Sequence, residues 1–176
     1  MRTVILAAGK GTRMEKLTKN TPKSLLRIGG KPILEHTLLS LPRPVNEALI
    51  VVNYLSEQIK DYFSYKFGDI HITYIDQKEF LGTANAVWEA KDMLKNEKFL
   101  VLNGDDLYNK NDLEKCLKHD LTFGIIKKIP QSDKFIAIDI GSNQNIIGCH
   151  KPNPAEAKEG IFIATGAYVL DDKIFQ

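Results

Sequence analysis

The sequence lacks the features that would place the protein outside the cell or in a membrane. Only two of its 176 residues are cysteines. Because Cys116 and Cys149 have neither partner cysteines nor metal-ligand spacing, we expect no disulfide scaffold and no zinc site. No apolar run approaches the roughly 20 residues that cross a bilayer, and the first one stops at Gly9, too early for a signal peptide. We therefore expect a cytoplasmic protein.

An excess of one charge sign is also missing. The 24 Lys and Arg residues are balanced by 22 Asp and Glu residues, which leaves a net charge of +2. A protein that binds nucleic acid or a membrane surface through charge usually has a clear excess of one sign. We therefore predict neither of them as a partner and expect a few well-placed charges to carry the function. The length of the chain fits one domain over residues 1–176.

Strand and helix patterns alternate through the first two thirds of the sequence, and strand patterns dominate the last third. Short apolar runs rich in β-branched residues predict buried strands, and helical spacing of apolar residues predicts helices between them. The predicted strands are 3–8, 48–52, 70–75, 99–102, 123–129, 135–140, 146–149 and 161–170. The predicted helices are 32–41, 55–67, 83–94 and a short one that ends near 117. This order predicts a three-layer α/β/α, Rossmann-like fold with a mostly parallel central sheet and a strand-rich C-terminal part.

A loop with two glycines, the glycine-bearing loop, follows the first predicted strand. At Gly9 and Gly11, backbone N–H groups can approach a phosphate without interference from a Cβ atom. The loop is not a dinucleotide fingerprint, because Met14 stands where a third glycine is expected, and it does not have the spacing of a P-loop. Arg13 and Lys23 lie in the same loop and supply the fixed cations that a polyphosphate needs during transfer.

A second candidate position lies after the predicted strand 99–102. In open α/β sheets, ligands bind beyond the carboxyl ends of the strands, and Gly104 and Asp105 stand there. A carboxylate that faces a triphosphate is a natural ligand for Mg²⁺. Asp106 is adjacent, but neighbouring side chains on extended backbone point apart. We therefore expect only one of the two carboxylates to bind a metal ion.

Together these motifs resemble the sugar-1-phosphate nucleotidyltransferases, which are also called sugar-nucleotide pyrophosphorylases. The N-terminal part of the resemblance consists of Leu6-Ala7-Ala8-Gly9-x-Gly11-Thr12-Arg13-Met14, Leu17-Thr18, Thr21-Pro22-Lys23-x-Leu25-Leu26 and Gly30-Lys31-Pro32-Ile33-Leu34-Glu35-His36. Further matches, in the family's order, are Gln77, Leu81-Gly82-Thr83-Ala84, Gly104-Asp105, Lys151-Pro152 and Gly166-Ala167-Tyr168. The resemblance implies one nucleotidyltransferase domain, shorter at its C-terminus than the family usually is.

The reaction implied by the resemblance is transfer of a nucleotidyl group from an NTP to a sugar-1-phosphate, with release of pyrophosphate. Arg13 would steady the pyrophosphate, Lys23 would contact the phosphates at the reacting centre, and Asp105 would hold Mg²⁺, so these three are the implied catalytic residues. Gln77 would pair with the base. The implied nucleotide-binding residues are Leu6, Ala7, Ala8, Gly9, Gly11, Thr12, Arg13, Lys23, Gln77, Gly82 and Thr83.

The identity of the base is predicted from Gln77. Its amide offers one donor and one acceptor, which match the N3–H and a carbonyl of uracil or thymine. Members of the family that use GTP often carry Glu at this position. The resemblance therefore favours UTP or dTTP as the donor.

The sugar side differs from the usual family pattern. The implied sugar-phosphate-binding residues are Gly104, His150, Lys151 and Gly166, with Lys151 on the phosphate. The family usually has Glu where His150 stands, and a histidine can accept a sugar hydroxyl through only one nitrogen. Many members associate, so a homo-oligomer is compatible with the resemblance.

Two other functions stay open at the level of sequence. His150 favours a CTP-dependent transfer to a phosphorylated alcohol. The chain is shorter than most of the family, in which a second metal ligand often lies in the later segment, and this favours a non-catalytic nucleotide-binding regulatory subunit. Retention of Arg13, Lys23, Asp105 and Lys151 argues against the regulatory subunit.

Overall fold

The structure is a computed structural model that describes residues 1–79, 81–130 and 135–176, apart from the side chains of Arg13 and Glu15. Its strands are β1 (Arg2–Leu6), β2 (Arg27–Ile28), β3 (Lys31–Pro32), β4 (Glu47–Val52), β5 (Lys66–Phe67), β6 (Ile70–Asp76), β7 (Lys98–Asn103), β8 (Thr122–Lys128), β9 (Ala137–Ile140), β10 (Ile146–His150) and β11 (Ile161–Asp171). Its helices are α1 (Glu15–Thr18), α2 (Ile33–Ser40), α3 (Ser56–Phe63), α4 (Thr83–Trp88), α5 (Lys110–Cys116) and α6 (Pro154–Glu159). Short 3₁₀ turns cover Thr12–Met14, Lys23–Leu25, Lys91–Met93 and Asp172–Phe175.

Parallel strands form the centre of the main sheet. Strand β1 pairs in parallel with β4 and with β7, and β4 pairs in parallel with β6. Antiparallel partners extend this centre, with β5 beside β6 and β11 beside β7. The predicted mostly parallel sheet is therefore confirmed. Because β1, β4, β6 and β7 run in the same direction, their carboxyl ends meet at one edge of the sheet.

The parallel strands are buried on both faces, because successive side chains enter two different cores. On β7, Leu100 and Leu102 pack in one core with residues of α2, α3 and α5, whereas Phe99 and Val101 pack in the other with residues of α4. Strands β1 and β4 alternate in the same way. Strands buried on both faces are nearly continuous apolar runs, which is why the sequence predicted them. The helices on both faces make the three-layer α/β/α fold that was expected.

The predicted helix over 55–67 is too long. Helix α3 ends at Phe63, because Ser64 adopts a left-handed φ of 53° and its N–H returns to the carbonyl of Lys60 at 2.8 Å. Phe67 lies in β5, yet its ring packs on that of Phe63 with centroids 5.9 Å apart. Phe63 and Phe67 are four residues apart and in contact, as on one face of a helix, although the backbone at Phe67 is a strand. The predicted helix over 83–94 is likewise split into α4 and a 3₁₀ turn.

The chain divides into two compact units. The first comprises Met1–Thr122 with Gly166–Gln176, and the second comprises Phe123–Thr165. The second unit contains the antiparallel hairpin of β9 and β10, together with α6. Its core is small and consists of Ala137, Ile161 and Ile163, with Phe135 packed against them. Among the described helices, none is both long and apolar enough to cross a bilayer.

Helix α6 was not predicted, although the sequence contains the capping residues of its N-terminus. The side chain of Asn153 accepts a hydrogen bond from the backbone N–H of Glu156, and the Glu156 carboxylate accepts one from the backbone N–H of Asn153. This capping box needs only an Asn and a Glu three residues apart. Pro154 then fills the first turn, where its missing N–H costs nothing.

His150, the last residue of β10, joins three elements of the second unit. Its Nδ1 lies 3.0 Å from the Asp139 carboxylate on β9, and its Nε2 lies 3.4 Å from the Glu156 carboxylate on α6. The hydrogen bond to Asp139, helped by the charges of both carboxylates, raises the pKa of His150 above its ordinary value. The imidazolium therefore stabilises the arrangement of β9, β10 and α6.

We predict that this stabilisation is lost as the pH rises. The pKa of His150 is raised in the folded chain, so its contribution is complete below the unfolded pKa of roughly 6.5 and disappears as the pH passes the folded pKa. An NMR titration should give a folded pKa above the unfolded one. Asp139→Asn should lower that pKa more than Glu156→Gln, because the hydrogen bond to Asp139 is the largest cause. A titration that neither substitution changes would contradict this assignment.

Candidate active site

Two neighbouring cavities described in the first unit open where β1 and β7 end. The lysine cavity, about 450 Å³, is lined by Leu6, Ala7, Gly9, Gly11, Thr12, Met14, Lys23, Ser24, Gly104 and Asp105. The glutamine cavity, about 470 Å³, is lined by Leu6, Ala8, Gly9, Gln77, Gly82, Thr83, Ala86, Asn103 and Asp105. With the exception of Arg13, every residue predicted to bind the nucleotide lines at least one of them. The side chain of Arg13 lies outside the described part of the chain, and its role stays a prediction.

A contact between two strand ends brings Asp105 to both cavities. The backbone N–H of Gly104, just after β7, donates to the carbonyl of Leu6, the last residue of β1, at 2.9 Å. A Cβ atom on Gly104 would lie only 2.8 Å from that carbonyl oxygen. Glycine is therefore required for the strand ends to approach this closely, and Asp105 follows directly.

The glycine-bearing loop is held in place by Thr18, a residue that the sequence argument gave no role. Its buried hydroxyl donates to the carbonyl of Gly11 at 2.9 Å. Gly11 has a φ of +63°, and a Cβ atom there would lie 2.8 Å from the methyl carbon of Thr18. The loop thus needs both a glycine, for its backbone conformation, and a small hydroxyl residue packed against it. Thr18 belongs to the matched Leu17-Thr18 pair, which was its only sequence clue.

Lys23 and Asp105 form an ion pair between the ammonium Nζ and the carboxylate Oδ2. Their side chains are 33% and 34% exposed, so water screens the pair and its net contribution to stability is small. Both groups face the lysine cavity. An anionic ligand would be attracted to Lys23 and a cation to Asp105. A phosphate with a bound metal ion could therefore replace the ion pair, with the phosphate on Lys23 and the metal ion on Asp105.

The side chain of Asp106 contacts Asn103, and Asp106 lines neither cavity. Its Oδ2 accepts a hydrogen bond from Asn103 Nδ2 at 2.9 Å, and burial raises the pKa of Asp106. The adjacent carboxylates therefore lie in different surroundings, as expected for neighbours on extended backbone.

The backbone conformation and the close packing at Gly166 both require glycine. Its φ is +76°, and a Cβ atom would lie 2.2 Å from Asn103 Nδ2. The hydroxyl of Tyr108 lies 3.0 Å from the Gly166 carbonyl oxygen and accepts from the Asn103 N–H at 2.9 Å. Tyr108 therefore fastens the end of β7 to β11, a role that the sequence did not reveal. Whether Gly166 also approaches the sugar stays a prediction.

Gln77, which lines the glutamine cavity, is held by hydrogen bonds. It directly follows β6 and is only 5% exposed. Its Nε2 donates to Asn85 Oδ1 at 2.9 Å and lies 3.5 Å from the Gly82 carbonyl oxygen. Gly82 has a φ of +97°, a conformation that favours glycine. Asn85 was missed from sequence, because nothing in its spacing from Gln77 predicts their contact.

The residues predicted for the sugar phosphate are divided between the units. Gly104 and Gly166 lie in the first unit, and His150 and Lys151 in the second. Both ring nitrogens of His150 face carboxylates of its own unit, whereas Lys151 is exposed. A sugar hydroxyl would have to displace one of those carboxylates to reach His150.

Known proteins are similar to this chain in sequence and in fold. The model of the nucleotidyl transferase family matches residues 2–176. The bifunctional protein GlmU of Methanococcus vannielii is 37% identical over 180 residues, a match that covers 100% of this chain and 42% of that protein. A D-glycero-α-D-manno-heptose 1-phosphate guanylyltransferase of Campylobacter jejuni is 32% identical over 99% of this chain and 78% of its own length.

The fold is also that of a solved enzyme structure. A UDP-glucose pyrophosphorylase complexed with UDP-glucose aligns with a TM-score of 0.81, at 22% identity, over 99% of this chain and 77% of that one. This chain spans only about two fifths of the GlmU relatives, with 42% and 41% for two of them. The family match nevertheless extends over almost the whole chain. The chain therefore belongs to the nucleotidyl transferase family and is related to its sugar-1-phosphate nucleotidyltransferases.

Proposed function

We propose that the protein transfers a nucleotidyl group from UTP or dTTP to a sugar-1-phosphate and releases pyrophosphate. The observation that carries this proposal is the convergence of distant segments on the two cavities. The glycine-bearing loop, Lys23, Gln77 and Asp105 all line them, and Asp105 lines both. The arrangement offers separate surroundings for the phosphates and for the base, as a bound NTP requires.

The chemistry needs positioning and charge neutralisation rather than a covalent intermediate. The acceptor's phosphate oxygen would attack the α-phosphorus, and the bond to the pyrophosphate would break. Backbone N–H groups at Gly9 and Gly11 would bind phosphate oxygens, and Lys23 would offset the charge that builds on them. Arg13 would steady the pyrophosphate. Fixed cations are effective here because they need no reorganisation as the charge develops.

Asp105 would hold the Mg²⁺ ion. Mg²⁺ is usually bound by one or two carboxylates together with substrate phosphates, rather than by a cage of protein ligands. The described residues contain no group of three or more His, Cys, Asp or Glu that could hold a metal ion, which suits a site completed by the substrate. When bound, the ion would neutralise charge on the triphosphate oxygens.

A pyrophosphate-release screen tests the function directly. Four NTPs and dTTP would be combined with a panel of sugar-1-phosphates, with phosphocholine and inositol 1-phosphate included as alcohol-derived acceptors. We expect release with UTP or dTTP and at least one sugar-1-phosphate. Release only with CTP and an alcohol phosphate would favour that alternative, and binding of NTP without release would favour a regulatory subunit.

We predict that Asp105→Asn lowers turnover by roughly 100-fold or more, because the loss of one charge-stabilising group in a transfer site has effects of this size. Asp106→Asn is the matched control, since Asp106 lines neither cavity, and it should change turnover far less. Circular dichroism would confirm that both variants fold. Equal effects of the two substitutions, or full turnover in EDTA, would refute the assignment of the metal to Asp105.

We also predict that Lys151→Ala raises the KM for the sugar phosphate by about tenfold or more and leaves the KM for the NTP nearly unchanged. The lost interaction is a charge-assisted hydrogen bond to the acceptor phosphate, which is typically worth about 1.5–3 kcal/mol. Lys158→Ala, at another exposed lysine of the same unit, is the control. If both KM values rose together, Lys151 would belong to the nucleotide side instead.

A further inference from the structure

We propose that Asn85 is a positioning residue that orients the Gln77 amide, so that the amide oxygen is offered to the base. The nucleotide accepted would then be one whose base has an N–H on its ring: uracil, thymine or guanine. This inference rests on the proposed function, because it concerns the base side of the same site.

The main chain around Gln77 is fixed. Its backbone N–H donates to the carbonyl of Val52 at 2.9 Å, and its carbonyl accepts from Asn53 Nδ2 at 2.6 Å. The residue is almost fully buried and lines the glutamine cavity. The amide can therefore change the atoms that it presents only by rotating about its own side-chain bonds.

Asn85 and Gly82 decide the orientation of that amide. Gln77 Nε2 lies 2.9 Å from Asn85 Oδ1 and 3.5 Å from the Gly82 carbonyl oxygen. A backbone carbonyl can only accept hydrogen bonds, so the nitrogen is the end of the amide that must face Gly82. The longer of the two contacts is weak, and Asn85 therefore supplies most of the restraint.

The other end of the amide has no hydrogen-bond partner among the described residues. All contacts of the Gln77 side chain in this part of the chain involve Nε2. Oε1 is thus a free acceptor on a side chain that lines the cavity. When a base enters the cavity and displaces water from Oε1, this acceptor rewards a ligand that donates to it and penalises one that leaves it unpaired.

The ring nitrogens of the bases differ in this respect. Uracil and thymine carry N3–H and guanine carries N1–H, and each of these can donate to Oε1. Cytosine N3 and adenine N1 are acceptors and would meet the amide oxygen with a second lone pair. The orientation set by Asn85 therefore disfavours cytosine and adenine, and this preference does not require the amide nitrogen to touch the base.

The test compares kcat/KM for UTP and CTP with one accepted sugar phosphate in the wild type, Asn85→Leu and Asn85→Asp. Removal of the acceptor in Asn85→Leu frees the amide to rotate, and the UTP-to-CTP ratio should fall by about tenfold, the equivalent of one neutral hydrogen bond. Asn85→Asp keeps an oxygen acceptor and should therefore keep the UTP-to-CTP ratio. Its added charge should change kcat/KM for both nucleotides by the same factor. A well-folded Asn85→Leu with an unchanged ratio would overturn the proposal.

A binding measurement on the wild type tests the inference without turnover. Isothermal titration calorimetry should show that UTP binds at least about tenfold more tightly than CTP. Equal affinities would overturn the role of Asn85, even if Asn85→Leu failed to fold. Failure of the proposed function has a different result, namely no pyrophosphate with any pair of substrates while the difference in nucleotide affinity persists.

Discussion

The hydrogen bond between the backbones of Gly104 and Leu6 is the contact on which the site depends. It joins the ends of β1 and β7, adjacent parallel strands at the centre of the sheet. One strand leads into the glycine-bearing loop and the other into Asp105. Because the bond leaves no room for a Cβ atom on Gly104, the separation between the loop and the carboxylate is set by main-chain geometry. The Lys23–Asp105 ion pair adds a side-chain contact to this approach of the main chains.

The site has a second level of organisation, in which side chains that line neither cavity restrain residues at or beside the cavities. Thr18 fastens the loop at Gly11, Tyr108 joins the end of β7 to Gly166, and Asn85 orients Gln77. Each uses side-chain hydrogen bonds to restrain a group on another segment. Restraint of this kind matters because a transfer site that works by positioning loses its effect when its groups are free to move.

The sequence was most informative where burial imposes a pattern. Strands buried on both faces must be apolar throughout, so the main-sheet strands β1, β4, β6 and β7 were predicted to within two residues at each end. Phe67 shows where the pattern misleads. Its ring reaches the core from a strand, and the same spacing would place it there if α3 continued for one more turn. The start of α6 was visible in Asn153 and Glu156 but was overlooked. Local chemistry of that kind can be found from sequence, whereas the left-handed turn at Ser64 cannot.

The site residues were predicted less from pattern than from resemblance. The glycines and charges of the loop are similar to a long signature, and the structure brings Gly9, Gly11 and Lys23 to the same pair of cavities. Asn85, Tyr108 and Thr18 could not have been given their roles in the same way. Their partners are chosen by three-dimensional proximity, and an asparagine, a tyrosine or a threonine has many other reasons to occupy a helix or a strand end.

The close approach at Gly104 also affects how such a site can diversify. Since the spacing between the loop and Asp105 depends on backbone atoms, we expect substitutions in the side chains around Gln77 to leave it unchanged. Residues near Gln77 can therefore vary while the lysine cavity keeps its geometry. Under the proposed function, a fold arranged in this way separates the part that performs the reaction from the part that selects the substrate. New specificities can then arise through single substitutions, without rebuilding the reacting centre.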